Sequence, residues 1–406
     1  MADFHQNGNI TTLHNLRTRA VAEMEAELNA FAAKRKISLI LPCLYSELEG
    51  DAMPHILTEL SQVNYLHRII VGLDAANEDQ FRHAKAFFQG LNQDHIVIWN
   101  DSPRMLALGA RLRELGLAPN EQGKGKNVWS SLGYLMSCAD SSVMAIHDCD
   151  ILTYDKEMLA RLVYPVANPT FPYQVAKGYY ARIGGGKLNG RVTRLLVSPL
   201  LIALNRVIGP RDYIDYLRSF RYPLSGEFAM RTAILPDLRI PSDWGLEIGV
   251  LSEAWRNLAP RSVCQVEIAD SYDHKHQTLS AEDANAGLNR MSTDICKAIF
   301  RKLAADGTIF TNNTFRTLKA TYYRSALDLL EAYHSDAQMN GLALDRHSEE
   351  VSIELFAEAI MRAGQTFLEN PHETPFIPTW SRVHAADPDF VRDLRAAAMA
   401  DAEEYA

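Results

Sequence analysis

The feature that most constrains this chain is a fourfold alternation in its first third. Four short, nearly wholly apolar runs stand there: KISLILPCL (36–44), YLHRIIVGLD (65–74), HIVIWN (95–100) and SVMAIHDCD (142–150). Runs of this length, rich in Ile, Leu and Val and apolar on both faces, read as strands of a parallel sheet. The stretches around 54–63, 78–91, 105–115 and 127–138 read as the helices between them. Strands alternating with helices imply βαβ units, whose ligands bind at the carboxyl ends of the strands. Pro42, Cys43 and Leu44 end the first run, Asp74 ends the second, and Asp148 and Asp150 end the fourth.

The remaining chain is mixed. Residues 11–34 read as an amphipathic helix that Thr12 could cap. Residues 175–186 read as a strand entering a triple glycine, and 262–272 as another strand. Residues 191–207, 227–235 and 245–258 read as helices, as do 281–303, 317–333 and 348–368 near the end. With 406 residues, 47% of them hydrophobic, the chain supports a large core. A net charge of −9 without a Lys/Arg run argues against nucleic acid, yet leaves room for a local basic pocket. No apolar run reaches the length of a membrane span, and the first residues lack a secretory pattern. Five cysteines without a C-x-x-C pair point to reduced thiols and a cytoplasmic setting. The apolar run 195–207 and the long C-terminal helices suggest more apolar surface than one sheet covers, hence a homodimer.

Several motifs carry chemistry. Asp148-Cys149-Asp150 is an Asp-x-Asp whose alternate carboxylates share one face of a strand. Such a pair repels unless a cation or proton intervenes, and Mg²⁺ or Mn²⁺ bridging to phosphate suits it. The alternative is a solvated acidic turn. GKGK (123–126) precedes a helix and suits an anion, although it lacks P-loop spacing and equally suits a surface loop. GGGKLNGRVT (184–193) offers glycines, Arg191 and Thr193 at a helix start, either as an oxyanion nest or as a capped hairpin loop. His274 and His276 follow a strand, as metal ligands or as exposed histidines. SGE (225–227) and SDWGLE (242–247) each place carboxylates at a turn, as helix caps or as partners of sugar hydroxyls.

Taken in order, LPCLYSE, GKGKNVWSSL, HDCDI, GGGKLNGRVTRLLVSPLL, YPLSGEFAM, DWGLEIGVL and DHKHQTL resemble the glucosyl-3-phosphoglycerate synthases. These are retaining GT-A glycosyltransferases, related to mannosylglycerate and mannosyl-3-phosphoglycerate synthases. The resemblance spans roughly 36–280. It implies an α/β fold: a Rossmann-like, mostly parallel sheet flanked by helices, with a helical C-terminal region. It divides the chain into an N-terminal helix (1–35), a nucleotide-sugar-binding half (36–150), an acceptor-binding half (151–280) and a helical region (281–406). Pro42, Cys43, Leu44, Glu47, Asp74 and Lys124 would line the donor nucleotide. Where the family commonly has Asn-Glu after the first strand, this chain has Tyr45-Ser46-Glu47. Asp148 would hold donor and metal, and Asp150 and His276 would complete the metal shell, with His274 as the rival. Glu227 would bind the donor sugar and, with Asp150, count as catalytic. Gly190, Arg191 and Thr193 would hold the acceptor phosphate.

The implied reaction moves glucose from a nucleoside-diphosphate glucose, UDP-glucose first, to 3-phosphoglycerate with a divalent cation, Mg²⁺ or Mn²⁺. Front-face attack accounts for retention. Mannosyl transfer from GDP-mannose is the nearest alternative. A non-catalytic sugar-nucleotide binder and a nucleotidyltransferase are alternatives of other classes.

Overall fold

The computed structural model describes residues 6, 8–118, 123–274, 287–371 and 377–405. Its strands are β1 (Thr11–Leu13), β2 (Ile37–Leu44), β3 (Leu66–Asp74), β4 (Asp94–Trp99) and β5 (Val143–Ile146). After them come β6 (Val175–Tyr180), β7 (Ile183–Gly184), β8 (Lys187–Leu188), β9 (Phe228–Arg231) and β10 (Val263–Ala269). Eight join in one sheet of order β1-β10-β6-β9-β5-β2-β3-β4, while β7 and β8 form a small hairpin. Seven of the eight run the same way, and β9 is antiparallel to both β5 and β6. The expected mostly parallel α/β sheet with flanking helices is therefore present.

The four apolar runs of the sequence are β2 to β5. Ile37 to Cys43 of β2 are all buried, which is why that run shows no polar alternation. Leu39, Leu41 and Cys43 face one core layer, packed with the Lys156–Ala167 helix; Ile40 faces the other, packed with the Lys124–Cys138 helix.

Two expectations for secondary structure fail. The helix read over 11–34 starts only at Val21 and ends at Ala32, and Thr11–Leu13 is an edge strand paired with β10. Three residues are too few to show a period. Residues 227–235 are not one helix: β9 comes first and a short 3-10 helix, Thr232–Asp237, follows it. The sequence FAMR, wedged between two strands, carries no alternation that separates a buried strand from a buried helix.

The run 191–207 is helical as expected, but it opens with π-helical turns, Val192–Val197, before the α-helix Ser198–Ile208. Wide turns leave carbonyls poorly paired, and the Tyr322 hydroxyl donates to the Leu195 carbonyl at 2.6 Å. Tyr322 lies on the Asn312–Met339 helix, which covers this run. The chain thus buries its most apolar segment by itself, which removes that segment as a reason to expect a dimer.

Beyond the helices expected near the end, Trp380–Ala386 and Phe390–Glu404 fold back onto the first half of the sheet. Trp380 stacks on Trp129 with centroids 4.0 Å apart, and the indole N–H of Trp129 donates to the Pro378 carbonyl at 2.9 Å. Gly133 makes room, since a Cβ there would meet Trp380 at 2.2 Å. Arg104 and Arg111 pair with Asp401, Asp387 and Asp393 along the same seam. Trp380→Ala removes a fully buried ring that braces the Lys124–Cys138 helix. It should cost about 3–5 kcal/mol, read as a lower unfolding midpoint in calorimetry; an unchanged midpoint would contradict this bracing.

Candidate active site

Strand direction decides where the polar residues meet. The carboxyl ends of β2, β3, β5, β6 and β10 lie at one edge, and because β9 is reversed, its first residues lie there too. A cavity of about 1010 Å³ opens at that edge. Its floor is acidic, lined by Glu47, Asp74, Asp148, Asp150, Glu247 and Asp273. Lys124 reaches into this floor, its Nζ 2.6 Å from Asp148 Oδ1 and 3.1 Å from Glu247 Oε1. Burial works against the Asp148 charge, but Lys124 outweighs it and holds the carboxyl below its usual range. Gly123 and Gly125 permit this placement: a Cβ on Gly125 would lie 2.0 Å from the Pro241 carbonyl oxygen.

Asp150 and His274 sit together, Oδ2 to Nδ1 3.4 Å, because Ile151 and His274 form a β-bridge. Asp150 Oδ1 is buried without a hydrogen-bond partner among the described residues. Asp148, Asp150 and His274 do not close to within 4.8 Å of one another, since Asp148 turns to Lys124.

Glu227 lies beneath the cavity rather than in it, with no exposed surface. Its carboxylate accepts from the hydroxyls of Tyr180 at 2.7 Å, Tyr272 at 2.8 Å and Ser225 at 2.9 Å. The two tyrosine rings stack 3.8 Å apart. Lys177, also buried, donates to the Ser225 carbonyl, and burial lowers its pKa to about 8. This hub fixes Gly226 against Asp148, where a Cβ would come within 2.3 Å of the carboxylate.

The opposite wall is basic. Arg182, Lys187 and Arg191 line it with Asn189 and Gly190. Arg182 donates to the Tyr222 hydroxyl at 3.2 Å and lies over the Tyr272 ring, with no carboxylate partner among the described residues. Arg191 leans 3.6 Å from Glu349, whose carboxylate is already held by two nitrogens of buried Arg194 at 2.8 and 3.1 Å. Gly190, with φ at +76°, makes the turn into the π-helical segment.

No family model matches the chain. A glucosyl-3-phosphoglycerate synthase of Persephonella marina is 46% identical over 389 residues, covering 96% of each chain. One of Methanococcoides burtonii is 36% identical over 408 residues, covering 99% of each. The chain belongs to the glucosyl-3-phosphoglycerate synthase family. In fold it is similar to the Mycobacterium tuberculosis glucosyl-3-phosphoglycerate synthase crystallised with Mn²⁺, UDP-glucose and phosphoglyceric acid. That match has a TM-score of 0.53 at 23% identity and covers 73% of this chain and 88% of that one.

For this member of the glucosyl-3-phosphoglycerate synthase family, the cavity gathers Pro42, Cys43, Leu44, Glu47, Asp74, Lys124, Asp148, Asp150, Gly190 and Arg191. Two expected residues stand apart. Glu227 is walled off, and Thr193 is buried within the π-helical segment. His276 lies outside the described residues, and the histidine beside Asp150 is His274. Arg182, Lys187, Tyr222 and Glu247 were missed as site residues. Glu247 had a signal, in SDWGLE, but a turn before a helix explained it as a cap.

Burial pushes the Glu47 carboxyl from 4.5 up to about 7, with Asp150 and Asp148 adding repulsion, and the Asp74 carboxyl from 3.8 up to about 6. A folded pKa above the unfolded one means the native state binds more protons, so this contribution favours folding at low pH. In chelator, the unfolding midpoint should therefore lose a contribution as pH rises from about 4.5 to about 7, and Glu47→Gln should flatten that part of the profile. An identical pH profile in wild type and variant would contradict it.

Proposed function

We propose that this chain transfers glucose from UDP-glucose to 3-phosphoglycerate with retention, using Mg²⁺ or Mn²⁺. The observation that carries the reading is the polarity of one cavity: an acidic floor suited to a cation and a basic wall suited to a phosphate. Two synthases similar to this chain over nearly its full length carry that activity in their names. The Mycobacterium tuberculosis synthase has been crystallised with Mn²⁺, UDP and glucosyl-3-phosphoglycerate, and with Mg²⁺ and UDP.

The residues fit a hard divalent cation. Asp148, Asp150 and His274 supply two carboxylates and an imidazole, and the unpartnered Asp150 oxygen is a ready ligand. When bound, the cation offsets charge gathering on the departing diphosphate. Lys124 adds a fixed positive charge beside Asp148. Glu247, which lines the cavity, would face the donor sugar, whereas Glu227, buried beneath it, would position the Gly226 turn. With three hydroxyls on it and no opening to the cavity, Glu227 is also a poor nucleophile. Arg182, Lys187 and Arg191 orient the acceptor phosphate. The acceptor hydroxyl oxygen then bonds to the anomeric carbon as the bond to the diphosphate breaks, and its proton passes to the departing phosphate.

No helix of the described residues is long and apolar enough to cross a membrane. All five cysteines are free, which supports a reducing, cytoplasmic setting. A homodimer rests on apolar groups left exposed in the helical region, Ile309 and Met339.

Turnover should vanish with EDTA and return with Mg²⁺ or Mn²⁺, releasing UDP; full activity in chelator, or pyrophosphate as product, would overturn the reading. Arg191→Ala should raise the KM for 3-phosphoglycerate about ten- to a hundredfold, the equivalent of ~1.5–3 kcal/mol for a charge-assisted bond. Donor affinity should hold. A preference of the wild type for glycerate, or for GDP-mannose, would put the mannosyl alternative ahead.

A further inference from the structure

A second set of metal-binding groups lies beside the acidic floor. The β2–β5 register pairs Ile40 with Ile146, and three residues further along each chain stand Cys43 and Cys149. Their sulfurs and a Glu47 carboxylate oxygen lie within 4.8 Å of one another, the one such trio of potential ligands among the described residues. All three residues line the cavity, although each thiol is only 1% exposed. Glu47 is held in place by the Leu44 N–H, which donates to its Oε2 at 2.8 Å, and its carboxylate also meets the Cys43 thiol. The Cys43 thiol meets the Cys149 sulfur and the Glu47 carboxylate as well as the Leu44 carbonyl at 3.3 Å, so the three groups already converge.

We propose that Cys43, Cys149 and Glu47 form a binding site for a thiophilic divalent cation such as Zn²⁺ or Cd²⁺, separate from the hard-cation site, and that its occupancy inhibits transfer. The donor chemistry differs between the two. Two thiolates and a carboxylate select soft or borderline ions, whereas Asp148 and Asp150 suit Mg²⁺ and Mn²⁺. The spacing suits a tetrahedral ion: two sulfurs at about 2.3 Å from zinc lie roughly 3.8 Å apart. The three protein ligands leave a fourth position facing the cavity. The surroundings favour a cation as well, since Asp148 and Asp150 flank Cys149 in sequence and Asp74 ends the neighbouring strand. Binding releases the two thiol protons to solvent. It also withdraws Glu47 and fixes a cation on the wall the nucleotide would contact.

The test is a Cd²⁺ titration of the whole chain in a phosphine reductant and saturating Mg²⁺, followed by thiolate-to-cadmium charge-transfer absorption. The band should saturate at one ion per chain, with release of about two to three protons per ion in weak buffer, two from the thiols and the rest from Glu47. Cys149→Ser should weaken this binding by at least about tenfold, and Cys138→Ala should leave it intact. Glu47→Gln keeps both thiols, so its band should persist at lower affinity; it also serves if Cys149→Ser fails to fold. Zn²⁺ should inhibit Mg²⁺-supported turnover in the wild type and far less in Cys149→Ser. No band in the wild type, or a band and inhibition unchanged in folded Cys149→Ser, would overturn the proposal. The absorption requires no turnover, so this site and the transferase reading fail independently.

Discussion

The contact on which the site depends is the ion pair between Lys124 and Asp148, with Glu247 as the second carboxylate on the same lysine. Parallel strands deliver their ends to one edge, and this chain ends several of them in acids. Buried carboxylates at that density repel, and each charge taken from water needs a partner. Lys124 serves two of them. Asp150, Glu47 and Asp74 remain, and the outcome is a floor with an excess of negative charge. A divalent cation suits that excess, and without one, burial raises the Glu47 and Asp74 pKa values and favours their neutral forms.

The reversed strand β9 makes the floor rigid. By running against its neighbours it brings Ser225, Gly226 and Glu227 to the active edge, where residues from the ends of parallel strands already stand. Glu227 then spends its charge inward, on Tyr180, Tyr272 and Ser225, and Gly226 supplies a surface without a side chain for Asp148 to lie against. The C-terminal helices act from the other side of the sheet. Trp380 holds the helix whose first residue is Lys124, and the Arg104 and Arg111 ion pairs tie the preceding helix, Pro103–Glu114, to the same C-terminal segment.

Strands β2 to β5 were legible because each is largely buried and bounded by polar turns. β1 and β9 were not: one is three residues long, and the other is an apolar tetrad that helix and strand explain equally. Site residues at strand ends, such as Asp74, Asp148 and Asp150, followed from topology. Those whose role depends on tertiary direction did not. Glu227 and Glu247 look alike in sequence, each a carboxylate at a turn, and only the fold shows that one points into the protein and the other at Lys124. His274 stands beside Asp150 through its bridge to Ile151, a placement that sequence spacing does not give, and His276 lies outside the described residues. The approach of Cys43 to Cys149 needed the register of two strands about a hundred residues apart.

The central claim is that one cation is held by Asp148, Asp150 and His274. Pulsed electron paramagnetic resonance of the Mn²⁺-loaded protein with UDP tests it directly, because a coordinated imidazole couples its nitrogen to the metal. Nitrogen coupling should be present in the wild type, retained in His276→Ala and absent in His274→Ala. Coupling that survives in His274→Ala, or that disappears in His276→Ala instead, would contradict the site described here.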